Sequence, residues 1–265
     1  MSPSTDKTRS PLLYACYTQK TKEEERFVQE HSLTRVLSGS MLIHTVNDSY
    51  TFSAGDTVLA KRNQLIKATK LPPEGSTFES VSVFFEQSAL REYAAEQKIP
   101  AAGPYNGPPV LVLAQSPLYE SYASSLAAYR QGATNNMLAG LKVKEALMLI
   151  LHLNHEASDL LFDFREPGKI DLEEYMNTHF KFNVDISRFA YLTGRSLATF
   201  KRDFAKRFNT SPNKWLQQRR LKEAHYLLKE KGMRVSDVYL EVGFEDLSHF
   251  SYAFKNAFGK SPSLI

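Results

Sequence analysis

At 265 residues, 42% of them hydrophobic and 23% charged, the chain can form two ordinary domains, each with its own core. No run of about 18 apolar residues offers a transmembrane helix, the polar stretch Met1–Ser10 lacks a secretion signal's apolar region, and the lone Cys16 excludes an internal disulfide or a cysteine-built zinc site, so the cytoplasm is expected. The net charge of +4 divides unevenly: 15 Lys+Arg and 8 Asp+Glu from Val184 onward leave a mildly acidic remainder, which suggests a polyanion partner for the basic half only.

From about Leu12 to Phe85 the chain reads as short strands separated by turns. Tyr50-Thr51-Phe52 follows the turn-like Asn47-Asp48-Ser49, and Gly55-Asp56 precedes Thr57-Val58-Leu59-Ala60. Glu79, Val81, Val83 and Phe85 alternate with Ser80, Ser82 and Phe84, the period of a strand. Strands at this spacing fit a small barrel or sandwich. Pro100 to Pro109, rich in Pro and Gly, is expected to be a loop.

Helical periodicity follows. Leu118, Tyr122, Leu126 and Tyr129 share one helical face, and a second helix is expected from about Asn136 to His155. Its stretch Ala146 to Leu151 is apolar all round and must be covered on more than one side, by its own barrel or by a second subunit. The division expected is a regulatory and dimerisation domain over 1–157, a linker over 158–170 and an all-helical domain over 171–265.

One pattern in the helical region occurs twice, fifty residues apart. Leu197, Phe200, Phe204 and Phe208 form one helical stripe, and Leu247, Phe250, Phe254 and Phe258 repeat it. Each stripe ends in a related cap, Phe208-Asn209-Thr210-Ser211-Pro212 and Phe258-Gly259-Lys260-Ser261-Pro262, where Asn or Gly closes one helix and Ser-Pro opens the next. A shorter helix and a glycine turn precede each stripe, at Thr193-Gly194-Arg195 and Gly243-Phe244-Glu245, which makes two helix-turn-helix units. The helix expected between them, Ser211 to Lys229, spans about 28 Å and could hold two recognition helices roughly one DNA turn apart, about 34 Å.

In the first unit the inward stripe Leu197, Phe200 and Phe204 leaves Ala198, Lys201 and Arg202 outward. Arg can pair with guanine O6 and N7, and Lys can reach the same acceptors or a phosphate. Lys206, Arg207 and Arg195 suit backbone phosphates, as do Arg219, Arg220 and Lys222 on the connecting helix. The second unit presents Ser248, His249, Tyr252 and Ala253. Glu245 and Asp246 at its start favour the positive helix end but repel phosphate, so weaker binding is expected there.

These residues resemble the AraC/XylS family of transcription regulators. The resemblance rests on Arg219-Arg220-Leu221-Lys222-Glu223-Ala224, Leu227-Leu228, Val242-Gly243-Phe244-Glu245-Asp246, Phe250, Phe254-Lys255 and Phe258-Gly259-Lys260-Ser261-Pro262. It implies major-groove binding near promoters, usually as an activator contacting RNA polymerase. It also implies base reading at Ala198, Lys201 and Arg202, and at Ser248, His249, Tyr252 and Ala253. Tyr239 stands where the family usually has Ala, which would disturb close packing in the second unit. The chain ends at Ile265 where the family commonly continues, so a loose final cap is expected.

The N-terminal half is similar to the family's cupin-like regulatory domain, through Val36-Leu37-Ser38-Gly39-Ser40, Tyr50-Thr51-Phe52, Ala54-Gly55-Asp56 and Arg62-Asn63-Gln64. Arg26-Phe27-Val28 and Glu30-His31 are similar to the ExsA-type subgroup, whose control is by protein partners rather than a sugar. The fold expected is therefore an α+β two-domain chain: a cupin-like β-barrel with a helical appendage, then two helix-turn-helix units. Double-stranded DNA and RNA polymerase are the expected partners, with a protein or small-molecule effector at the N-terminal domain and a homodimer as further possibilities. A cupin metal enzyme with an accessory DNA-binding tail would need a His-x-His and Glu cluster. His31 and His44 are isolated, so no metal, cofactor or catalytic residue is expected. A non-specific architectural DNA binder is the third reading.

Overall fold

A computed structural model describes residues 10–21, 24–100, 102–130 and 136–265, so all of Met1–Ser10 except its last residue lies outside the described residues. The N-terminal part contains β1 (Leu12–Tyr17), β2 (Glu24–Val28), β3 (His31–Ser38), β4 (Ser40–His44), β5 (Ser49–Ser53), β6 (Thr57–Ala60), β7 (Gln64–Leu71), β8 (Phe78–Phe85) and β9 (Val110–Leu113). They form two antiparallel sheets, β1-β8-β3-β6-β9 and β2-β7-β4-β5. The expected barrel is corrected here to an open sandwich: among the described residues no strand pairing joins one sheet to the other.

Strand alternation decides where the core lies. On the larger sheet Leu33, Leu59, Val81, Val83 and Phe85 face outward, under a layer of helices. These are α1 (Gln87–Glu96), α2 (Pro117–Ser125) with a short 3-10 turn after it, α3 (Asn136–Leu153) and α4 (Ala157–Leu161). Ser116 starts α2 by accepting from the Leu118 N–H at 3.3 Å, with Pro117 in the first turn. Of the shared face read in and after α2, Tyr122 and Leu126 are buried and Tyr129 packs against the core, while Leu118 is 45% exposed and Tyr119 is buried in its place. Helix α3 buries Ala146, Leu147 and Ile150 against the sheet and leaves Met148 open, so its own domain covers only part of it.

The inner face of that sheet is different in kind. Ser32, Thr34, Ser80 and Ser82 point between the sheets, where Met41, Ile43, Ile66 and Ala68 of the smaller sheet oppose them around a hollow of about 980 Å³. A second apolar cluster around Val36, Phe52 and Phe78 fills only part of the sandwich. His31 is buried at the start of β3, its Nδ1 accepting from the Arg62 N–H at 3.3 Å, while His44 Nδ1 meets the Ser49 hydroxyl on the other sheet. Burial, then the charges of Arg62 and Lys61, push the His31 imidazole down to about 3.

Ala157, Leu160, Leu161 and Phe162 pack into the N-terminal core, and an extended segment runs from there to the C-terminal helices. These are α5 (Leu172–His179), α6 (Ile186–Leu192), α7 (Leu197–Phe208), α8 (Pro212–Lys231), α9 (Val235–Glu241) and α10 (Leu247–Phe258). Asp185, Ser196 and Asp246 cap α6, α7 and α10 through side-chain bonds, and Asn209 (φ 52°) and Gly259 (φ 73°) close α7 and α10 in the left-handed region. At the end of the chain Ser261 accepts from the Ser263 N–H and Pro262 is buried.

Candidate DNA-binding interface

The two repeats become two small cores. Phe189, Phe200 and Phe204 centre the first, and Phe250, Phe254, Val238 and Val242 the second. Helix α8 belongs to both: Leu216 enters the first core, and Leu221, Ala224, Leu227 and Leu228 enter the second. Its 20 residues give a rod of about 30 Å with one end in each unit.

Each glycine turn is pressed against a neighbouring backbone. A Cβ on Gly243 would lie 2.4 Å from the Lys181 carbonyl, and one on Gly194 would lie 2.5 Å from the Gly168 carbonyl; both residues have positive φ. Only glycine fits such approaches. Tyr239 is accommodated half-buried, its ring centroid 6.5 Å from that of Phe250.

The outward faces follow from which side of α7 and α10 enters the cores. On α7, Ala198, Lys201, Arg202 and Lys206 are exposed, the Arg202 side chain at 76%. Arg207 is exposed but pairs with Glu173. On α10, Ser248, His249 and Tyr252 are exposed, Tyr252 at 70%. Ala253 must be removed from this face: it is 6% exposed and packs with Phe250 and Phe254, because it lies three residues after one ring and next to the other. Leu197 and Leu247, read as inward, are 40% and 42% exposed, since each opens its helix ahead of the residues that reach the core.

Two basic residues read as phosphate contacts are also corrected. Arg195 is directed inward, bonding Asp203, the Thr193 carbonyl and the Ile170 carbonyl, which ties the first turn to the extended segment. Arg220 is buried. It donates from Nε to the Phe180 carbonyl at 2.8 Å, from Nη2 to that of Phe182 at 2.9 Å, and from Nη1 to that of Gly243 at 2.9 Å. Arg219 pairs with Glu223 over the Phe180 ring, and Lys222 is exposed. The acidic pair of the second unit is structural: Asp246 accepts from the His249 N–H at 2.7 Å, and Glu245 accepts from the Asn183 amide at 2.8 Å.

A family model described as a helix-turn-helix domain matches residues 189–264, and one described as the ExsA N-terminal regulatory domain matches residues 31–161. The chain belongs to the AraC/XylS family of DNA-binding transcription regulators. Within that family it is 24% identical over 252 residues to the HTH-type transcriptional regulator ExsA of Pseudomonas aeruginosa, covering 94% of this chain and 90% of that one. It is 26% identical over 251 residues to the thermoregulatory protein LcrF of Yersinia pestis, covering 89% and 90%. Among solved structures, an apo ToxT variant from Vibrio cholerae aligns over 97% of both chains with 15% identity and a TM-score of 0.45.

The docking of the N-terminal domain on this AraC/XylS domain was not legible in the spacing of either half. Phe27 and Leu65 join the first helical core, and Phe27 meets Tyr191 edge-on with centroids 5.9 Å apart. The Tyr191 hydroxyl donates to the Glu166 carboxylate and lies 3.1 Å from the Asn63 side-chain amide, while Arg62 pairs with Glu166 at 3.2 Å. Burial, followed by the Glu166 carboxylate, pushes the Tyr191 phenol up to about 12. The Tyr191 bond and then Arg62 hold Glu166 below its ordinary range.

Proposed function

We propose that this chain activates transcription by placing α7 and α10 in two successive major-groove segments of one duplex. The observation that carries the reading is the pair of exposed helix faces, Ala198, Lys201 and Arg202 on α7 and Ser248, His249 and Tyr252 on α10, at the two ends of α8. Lys201 and Arg202 read base edges, and Lys206 neutralises phosphate. The second helix, with two carboxylates at its start, contributes less affinity. DNase footprinting of the full chain on duplexes selected from a random pool tests this. Two protected segments about one turn apart, roughly 34 Å, are expected; a single protected segment defeats the proposal. A preference below about 10³ over random duplex would favour a non-specific architectural binder.

The N-terminal part, which runs on past the expected boundary at 157 because Leu160, Leu161 and Phe162 belong to its core, is joined by the extended segment after Phe162 to the DNA-binding part over 171–265 and serves as the regulatory domain, answering to a protein or small-molecule effector. Its α3 exposes Met137 (74%), Leu141 (59%) and Met148 (54%) along one side, a surface suited to pairing with a second copy. RNA polymerase is the downstream partner, the cytoplasm the location, and no catalytic step is assigned to the chain. Replacing Leu141 and Met148 by Lys should turn dimers into monomers in sedimentation; dimers that persist exclude α3 as the interface.

A further inference from the structure

The C-terminal end of α9 is held by cations from three separate parts of the chain. A helix end leaves carbonyls without intrahelical partners and concentrates partial negative charge there. Arg220 of α8 takes the Gly243 carbonyl, and Lys181, from the loop between α5 and α6, reaches the Glu241 carboxylate at 2.7 Å. Both belong to the DNA-binding domain. The third cation does not: Lys67 of β7 extends its Nζ to the carbonyls of Leu240 and Glu241, each at 3.3 Å.

Lys67 is only 6% exposed. A lysine on the outer face of a sheet ordinarily carries its ammonium out to water, and burying that ammonium is unfavourable unless its donors are met. Here they meet main-chain oxygens 173 and 174 residues further along the chain. From the same sheet, Phe27 and Leu65 join the core of the first unit. The regulatory domain therefore grips both units at once. Helix α9 shares one small core with α10 through Val238, Val242 and Phe250, so a shift of α9 moves the second recognition helix.

We propose that Lys67 is a positioning residue for DNA reading. From the regulatory domain it fixes the C-terminal end of α9, and with it the orientation of α10 relative to α7. The inference rests on the two-groove reading above and adds to it that the regulatory domain sets the register between the two grooves.

The test uses the full chain, a duplex that the wild type selects from a random pool, and copies with one base pair inserted between the protected segments. For the wild type the insertion should weaken binding by about tenfold or more, because a rigid pair of helices cannot follow it. Lys67→Met keeps the length of the side chain and removes its donors. It should still protect the first segment, lose protection of the second, and bind the parent duplex about tenfold more weakly. Its penalty for the insertion should shrink to within about threefold. Lys67→Arg, which restores donors, should recover the second segment. If Lys67→Met does not fold, Lys67→Leu, which also lacks donors, carries the same comparison.

A wild-type footprint, affinity and insertion penalty in Lys67→Met overturn the proposal, as does a parallel loss of both segments. Protection of one segment by the wild type itself is a different result, which defeats the two-groove reading before Lys67 is tested.

Discussion

Arg220 and Gly243 meet across the joint between the two helix-turn-helix units: the guanidinium donates to the Gly243 carbonyl at 2.9 Å while its other nitrogens take the carbonyls of Phe180 and Phe182. Removing the guanidinium leaves these oxygens without that donor in a site only 9% exposed. Arg220→Met should therefore destabilise the chain by about 3–5 kcal/mol. Arg220→Lys should recover only part of this, because a single ammonium cannot reproduce the planar fork. Urea unfolding of both variants decides it; a loss below about 0.5 kcal/mol for Arg220→Met would show that the bonds are dispensable.

Gly243→Ala should be costly for a separate reason. The new Cβ would lie 2.4 Å from the Lys181 carbonyl, at a φ of +90° that disfavours side chains. A loss of more than about 2 kcal/mol is expected from strain at a special backbone position. Thermal unfolding indistinguishable from wild type would mean that the turn can move away from Lys181 at no cost.

On the outer face of α7 the expected effects are on DNA rather than on stability. Arg202→Ala should relax base preference at one position and cost about 1–3 kcal/mol in binding. A uniform loss over a panel of single-base operator variants would make Arg202 a phosphate contact instead. Its side chain is 76% exposed, so the unfolding midpoint should stay put.

Lys206→Ala should weaken every duplex alike and lower the salt dependence of binding by about one counterion. Binding isotherms from low to moderate salt give that slope directly. An unchanged slope assigns Lys206 to solvent.

The buried His31 links stability to pH. Its folded value, about 3, lies below the ordinary 6.5, so between these limits the unfolded chain binds a proton that the folded chain does not. Stability from this group is complete above about 6.5 and declines as pH falls toward 3, by about 1.4 kcal/mol per pH unit. His31→Gln cannot titrate and should show a shallower decline over that window in denaturant titrations. An equal slope in both proteins would assign the acid sensitivity to other groups.

Period and capping chemistry were enough to place α7, α8 and α10, because Phe200 and Phe204, and Phe250 and Phe254, mark a face that only a helix can present. The strand alternation of β8 was legible for the same reason, with Val81 and Val83 against Ser80 and Ser82. Position along a stripe was less legible. Ala253 looks like a surface residue by type, yet its place between two phenylalanine rings buries it. Arg195 and Arg220 were misread because an arginine whose partners are main-chain oxygens looks no different in sequence from one that faces DNA. Whether the two sheets close into a barrel depends on partner choice across the molecule, which alternation within a strand does not encode.

The seryl and threonyl wall between the sheets separates strength from content. The large apolar cluster sits on the far side of that wall, beneath the helices, so rigidity of the N-terminal domain does not depend mainly on what fills the hollow. Exchanging one small hydroxyl there for another alters the size and polarity of the chamber while the load remains on Val81, Val83 and Phe85 outside it. A shell built this way can change the shape of its chamber without being rebuilt.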